Sequence, residues 1–273
     1  MTFFKLLCHD IRCGLFKLAY CGTILVVSIP LAQYYQTLRR LNVSGSMGDC
    51  LLYIFRGEQA ISFWAGTNEK MQVPVLWILL MIFCLLLHIS YFLGDLTSNG
   101  QQIIIRSKSR RNWLLSKIAW IMAGSILYYL IILSCVSGWC IFTGQHLSLS
   151  MTQTVAEKVL KMNVVTPDQV VFTVVLKPVV AFIAMNLLQM MLQILIRPIA
   201  GFLMCFALLL FSLYCPVLCF PPSGAIALRN IYLPFSQIES WVPVMSGGIT
   251  GVVCILISFW RFSSLDLLRK EDS

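Results

Sequence analysis

The sequence predicts an all-α integral membrane protein with six transmembrane helices, an N-terminal interfacial helix and an external re-entrant element before the last span. Three observations predict this. The 273 residues are 59% hydrophobic and only 11% charged, whereas soluble domains carry roughly 25% charged residues. Mean hydropathy is +0.84, and a water-soluble fold of that composition would expose more apolar surface than water tolerates. Apolar runs also recur along the chain at about the 20-residue length that crosses a bilayer. Finally, basic side chains collect in the short segments that fall on one side of those runs.

The elements follow in order. Residues 1–17 open with Phe3, Leu7, Ile11 and Leu15 at every fourth position, while Lys5, Asp10, Arg12 and Lys17 fill the other side. That pattern is a short amphipathic helix lying in the membrane interface. The first span follows at 18–37. A cleavable signal peptide would start similarly, but Pro30 stands where the cleavage signal wants a small residue, so this span is expected to be retained. The second span is 73–93 and the third 118–142, separated by a basic loop at 94–117. The fourth lies within 170–196, the fifth within 199–220 and the sixth within 243–260. No soluble repeat period appears, and no polar segment is long enough for a separate domain, so residues 1–273 form one membrane domain. Residues 38–72 and 143–169 are mixed and polar, with room for small external helices. Asn42-Val43-Ser44 matches a glycosylation triplet, a match too short to carry weight alone. Residues 220–242 are too apolar for a free loop and too broken by proline and glycine for a span. A re-entrant element buried against protein fits them.

Orientation follows from the charges. With the N-terminus inside, 12 of the 20 basic residues fall in cytoplasmic segments and 8 outside, and the inside segments are shorter. The formal charge of +9 is then explained by loops held at an anionic leaflet, not by nucleic acid.

Catalytic signals are missing. There is no GxxxxGK[ST], HExxH or GxSxG motif. The 11 cysteines include no CxxC, and Cys84, Cys135, Cys205 and Cys254 lie in apolar runs where a thiol acts as a small hydrophobe. His88, alone in such a run, reads as a packed or interhelical hydrogen-bonding histidine. Lys177, followed by Pro178, reads as a lysine snorkelling to the headgroups. Asn186, Gln189 and Gln193 share one face of the fourth span. They either bond between helices or line a path for a polar or peptide substrate. Gly247 and Gly251 form a GxxxG, and Gly124 and Gly138 thin the third span, all read as sites of close helix packing.

The loop at 94–117 holds five basic side chains together with Ile103, Ile104, Ile105 and Trp113. Orienting the chain requires only charge; an apolar ridge and a tryptophan read as a docking surface. Gly94-Asp95, Gly100, Arg106, Ser109-Arg110, Trp113 and Lys117 resemble the loop between spans two and three of ABC-2 type export permeases. "LIRPIAGF" at 195–202 resembles that family's tight cytoplasmic turn between spans four and five. "PPSGAIALRN" at 221–230 resembles the external segment before the last span, particularly in small permeases of peptide-antibiotic (lantibiotic-like) export and immunity systems.

The resemblance implies a permease subunit of an ATP-driven exporter in a bacterial plasma membrane, with both termini cytoplasmic. It implies that 94–117 is a coupling helix. Asp95, Ile103, Ile104, Ile105, Arg106, Arg110 and Trp113 would dock a separate ATPase dimer, which would bind ATP and Mg2+. A second permease copy or a sister permease would complete the complex. Asn186, Gln189 and Gln193 are the candidates for the translocation path. The alternative is a non-transporting scaffold or sensor subunit that holds a cytosolic protein through 94–117.

Overall fold

Helix forms wherever the apolar runs are long, and proline is confined to first turns and to a few interior positions. The structure is a computed structural model that describes residues 8, 18–57, 74–97, 110–214, 220–231 and 237–264. Helix α1 is Leu18–Leu41, with Pro30 inside it. It is followed by α2 (Met47–Phe55) and α3 (Val75–Thr97). Helix α4 is Arg110–Thr143. Helix α5 starts as Gln153–Val155 and continues as a π-helical turn over Ala156–Leu160. Helix α6 joins Pro167–Val171, a π turn at Phe172–Leu176, and Lys177–Leu195. Next come α7 (Pro198–Tyr214), α8 (Pro221–Gly224), α9 (Ala227–Ile231) and α10 (Gln237–Ser264). Among the described residues there is no strand, only one isolated bridge between Ser46 and His146.

Among the described residues three helices can cross a membrane by length and composition, over Arg111–Thr143, Pro167–Leu195 and Trp241–Phe262. Val75–Ile89 and Pro198–Leu213 are shorter apolar helices. The chain therefore has the character of a membrane protein. Two boundaries differ from the sequence expectation. Helix α3 runs on to Thr97, so Asp95 is helical and not in a loop. Helix α4 begins at Arg110 and not at 118, taking in the end of the basic segment. The reason is amphipathicity: Trp113, Leu114, Lys117, Ile118 and Ile121 are all buried at helical spacing, so packing carries the helix past the apolar run.

Helix α6 is the axis of the bundle, packed against α10, α7, α4, α3 and α8. Of its most apolar window 61% is buried, against 44% for α4 and 28% for α10. Helix α10 lies against it through its glycines. A Cβ at Gly247 would come within 2.5 Å of Val180, and one at Gly251 within 3.3 Å of Leu187. Gly124 likewise admits the His88 ring, as a packing reading expects. Gly138 does not follow that reading: nothing lies within 4 Å of its Cβ position, so no helix approaches there.

The outward face of α10 shows what surrounds the bundle. Trp241, Met245, Ile249, Val252, Leu256 and Trp260 are all exposed. Nineteen residues separate the two tryptophans, about 28 Å of helix, which is near the hydrocarbon thickness of a bilayer. Aromatic rings bracketing an apolar stripe at that distance suit the two membrane–water interfaces.

One end of the bundle is closed by a cap built from α2, α5, the first turns of α6, α8 and α9. Leu51, Leu52, Phe55, Val155, Leu160, Val170, Val174 and Ile226 are buried together there. The opposite end holds a smaller cluster of Trp113, Leu114, Ile194 and Phe262.

Candidate functional site

The polar face of α6 is the strongest candidate. Asn186, Gln189 and Gln193 are buried, with 1%, 1% and 4% of their surface exposed. Their three- and four-residue spacing puts them on one face of α6, the most enclosed of the three helices long and apolar enough to cross a membrane. Asn186 Nδ2 donates to Ser125 Oγ on α4 at 2.8 Å and to Cys84 Sγ on α3 at 3.1 Å. Ser125 in turn donates to the Ile121 carbonyl at 2.8 Å. His88 Nδ1 lies 3.2 Å from the Cys84 carbonyl, one helical turn along α3. Asn186 therefore ties three helices together.

Gln189 differs. Neither its Nε2 nor its Oε1 has a hydrogen-bond partner among the described residues, and Gln193 Nε2 has none either. A buried polar atom left without a partner costs about 1–3 kcal/mol. The stripe thus holds one residue that joins helices through its Nδ2, though its Oδ1 also has no partner among the described residues, and one amide with neither end paired there. Sequence reasoning found the stripe but missed Ser125 and Cys84; the Gly124-Ser125 pair was the available signal, since small residues let polar partners meet across helices.

Helix α6 carries a second feature. Pro178 has no N–H, so the turn before it loses a backbone bond, and the chain adopts its π turn at Phe172–Leu176. Tyr129 on α4 donates its hydroxyl to the Val174 carbonyl at 2.7 Å, giving that oxygen a partner. Lys177, also buried, places Nζ 5.2 Å from the centre of the Phe172 ring, in the direction of the cap.

The residues expected to dock a partner fall into three groups. Ile103, Ile104, Ile105 and Arg106 lie outside the described residues. Asp95 and Arg110 occupy the last turn of α3 and the first of α4. Trp113 is not on the surface that the sequence suggested: it is 1% exposed and stacks on Phe262 of α10, ring centroids 5.1 Å apart and planes at 12°. Lys117 Nζ lies 5.4 Å from the same ring. The early start of α4 turns this tryptophan inward, where it fastens α4 to the end of α10.

The cap contains a polar node that sequence reasoning did not single out. Ser46 Oγ accepts from the Asp49 N–H at 3.1 Å, and Asp49 Oδ2 accepts from the Ser46 N–H at 3.0 Å, a capping box that starts α2. Asp49 Oδ1 also accepts from the Thr152 N–H at 3.0 Å, and Ser46 donates its hydroxyl to the Ser150 carbonyl. The box pattern at Ser46-x-x-Asp49 was the readable signal. Arg229 of α9 is buried too, and its Nη1 donates to the Ser212 carbonyl at 2.7 Å, near the end of α7 where the helix dipole favours a cation. Beside the cap an open cavity of about 410 Å³ is lined by residues that include Tyr35, Arg39, Ser44, Thr143 and Gln145.

A family model described as "Protein of unknown function (DUF2705)" matches residues 40–268, and the chain belongs to that family. No curated protein and no solved structure matches it.

Proposed function

We propose that this chain is the permease subunit of an ATP-driven ABC exporter. It moves a peptide or other amphipathic substrate out of, or across, the plasma membrane. In this reading α1, α3, α4, α6, α7 and α10 are six spans, the cap faces outward, and both termini are cytoplasmic. A separate ATPase dimer docks through residues 94–117, and a second permease copy or a sister permease completes the complex.

The observation that carries the reading is Gln189. A static scaffold gains nothing from an orphaned amide on its central helix, whereas a bundle with two packings satisfies different groups in each. ATP-driven closure of the motor would then pull on the ends of α3 and α4 and shift α6 between packings. Its free energy must come from differential contact of the motor with the two states. The alternative role of scaffold or sensor predicts binding without ATP-coupled transport.

The test is affinity purification of the chain from its native membrane, followed by identification of bound partners and ATPase assay. A stoichiometric ATPase that is lost in Arg110→Glu, with membrane insertion intact, is the expected result. A chain that purifies alone, or with a partner lacking a nucleotide site, overturns the permease reading and favours the scaffold.

A further inference from the structure

Two cysteines far apart in sequence meet in the cap. Cys50 lies on α2 and Cys140 near the end of α4, and both are fully buried, with 0% exposure. Their sulfurs are 3.9 Å apart, in van der Waals contact. Neither is bonded to another cysteine in this structure. Apolar packing alone does not account for the meeting, because a polar group attends it: Gln145 Oε1 lies 3.2 Å from Cys50 Sγ and 3.9 Å from Cys140 Sγ. Gln145 Nε2 has no partner among the described residues. Gln145 also lines the open cavity of about 410 Å³ beside the cap. The thiol pair thus sits beside a residue that borders this cavity, although its amide nitrogen is itself buried.

We propose that Cys50 and Cys140 form a disulfide that clamps α2 to the end of α4. Bond formation needs the sulfurs to close from 3.9 Å to about 2.05 Å. The oxidant is a disulfide-bearing partner of the thiol–disulfide exchange class. The thiolate of one cysteine attacks a sulfur of that disulfide, releasing one partner thiolate and leaving a mixed disulfide. The second cysteine's thiolate then displaces the partner's other sulfur. Two protein thiols are oxidised, one partner disulfide is reduced to two thiols, and the protons leave with those thiols. The bond would close a loop between cysteines 90 positions apart in the sequence. The exchange takes place while the chain folds, before α2 closes on α4, and burial then shields the finished bond from reductants.

The inference rests on the outward orientation of the cap, because persistent disulfides need an oxidising compartment. The experiment therefore measures bond and orientation separately. The full chain is isolated from native membranes with free thiols blocked at lysis, then digested and analysed by mass spectrometry with and without reductant. The expected result is a linked peptide pair containing Cys50 and Cys140, lighter by two hydrogens than the free peptides and lost on reduction. In gel assays the unreduced chain should take up two fewer maleimide-polyethylene glycol increments than the reduced chain, a deficit that Cys50→Ser and Cys140→Ser each abolish. Recovery of both native cysteines as blocked thiols overturns the proposal, whether or not the serine variants fold. In parallel, intact cells carrying Lys158→Cys, an exposed position on α5, are treated with a membrane-impermeant maleimide. Labelling with free native thiols removes the clamp and keeps the orientation. A linked pair without labelling keeps the clamp and overturns the orientation.

Discussion

Two buried polar groups in this molecule are treated in opposite ways. Asp49, in the cap, is fully enclosed, and its carboxylate oxygens accept from the Ser46 and Thr152 N–H groups. Gln189, on the axis of the bundle, is equally enclosed, yet its amide has no partner among the described residues. Burial is the same, so the difference is one of satisfaction. A charge removed from water must be matched or the fold fails. A neutral amide can be left unmatched in one packing at a cost of a kcal/mol or two. The Asp49 node therefore reads as finished structure, and the α6 stripe as a place where the bundle is poised to change its contacts.

That contrast can be broken, and the largest effect should come from the cap. Asp49→Ala removes the acceptor of two charge-assisted bonds, each worth roughly 1.5–3 kcal/mol, and opens the start of α2. The expected loss is about 3–5 kcal/mol of unfolding free energy, measured by denaturation in detergent micelles. A loss below about 1 kcal/mol would show that the node is ornamental.

Gly247→Leu should come next. Its side chain would meet Val180, and overpacking of a close interface costs about 1–3 kcal/mol. The same unfolding assay checks it, and Gly138→Leu, with open space at its Cβ position, serves as the control that should fall within about 0.5 kcal/mol of the native chain.

Tyr129→Phe should cost about 1–2 kcal/mol, because it leaves the Val174 carbonyl buried without its side-chain donor. A variant that unfolds with native stability would show that the Val174 carbonyl does not depend on this donor.

The smallest effect on stability carries the most information. Gln189→Leu should unfold at or about 1 kcal/mol above the native free energy, since an orphaned amide is replaced by an apolar group. Substrate efflux from cells carrying it should nonetheless fall by roughly tenfold, the factor that 1.4 kcal/mol of altered balance between two packings produces. Full efflux with raised stability would reduce the stripe to packing. The companion substitution Asn186→Leu should instead destabilise, because it strands Ser125 and Cys84 contacts across three helices.

Much of the fold was legible in the sequence. Apolar runs announce helices because backbone groups in lipid must be satisfied within the segment. Helix occupies nearly all the described part of each range expected to hold a span, although by length and composition only three of the described helices can cross a membrane. The short helices within 38–72 and 143–169 were foreshadowed by polar composition, and the broken segment at 220–231 does hold two short buried helices. The stripe on α6 was legible because its spacing is local. What each stripe residue does was not, because Asn186 and Gln189 are the same kind of amide until neighbours are in place. Trp113 was misplaced for a related reason: charge around it suggested a surface, while packing against Phe262 carried the helix outward and turned the ring in.

Composition and periodicity alone determined the membrane character, the helical class, and the close approach at Gly247 and Gly251. These follow from solvent and from spacing along one chain segment. The tertiary structure decided which helix is central, that Tyr129 serves the turn before Pro178, that Asp49 binds two loops, and that Cys50 meets Cys140. Each of those depends on groups tens of residues apart, whose meeting is set by how whole helices pack and leaves no periodic mark in the sequence.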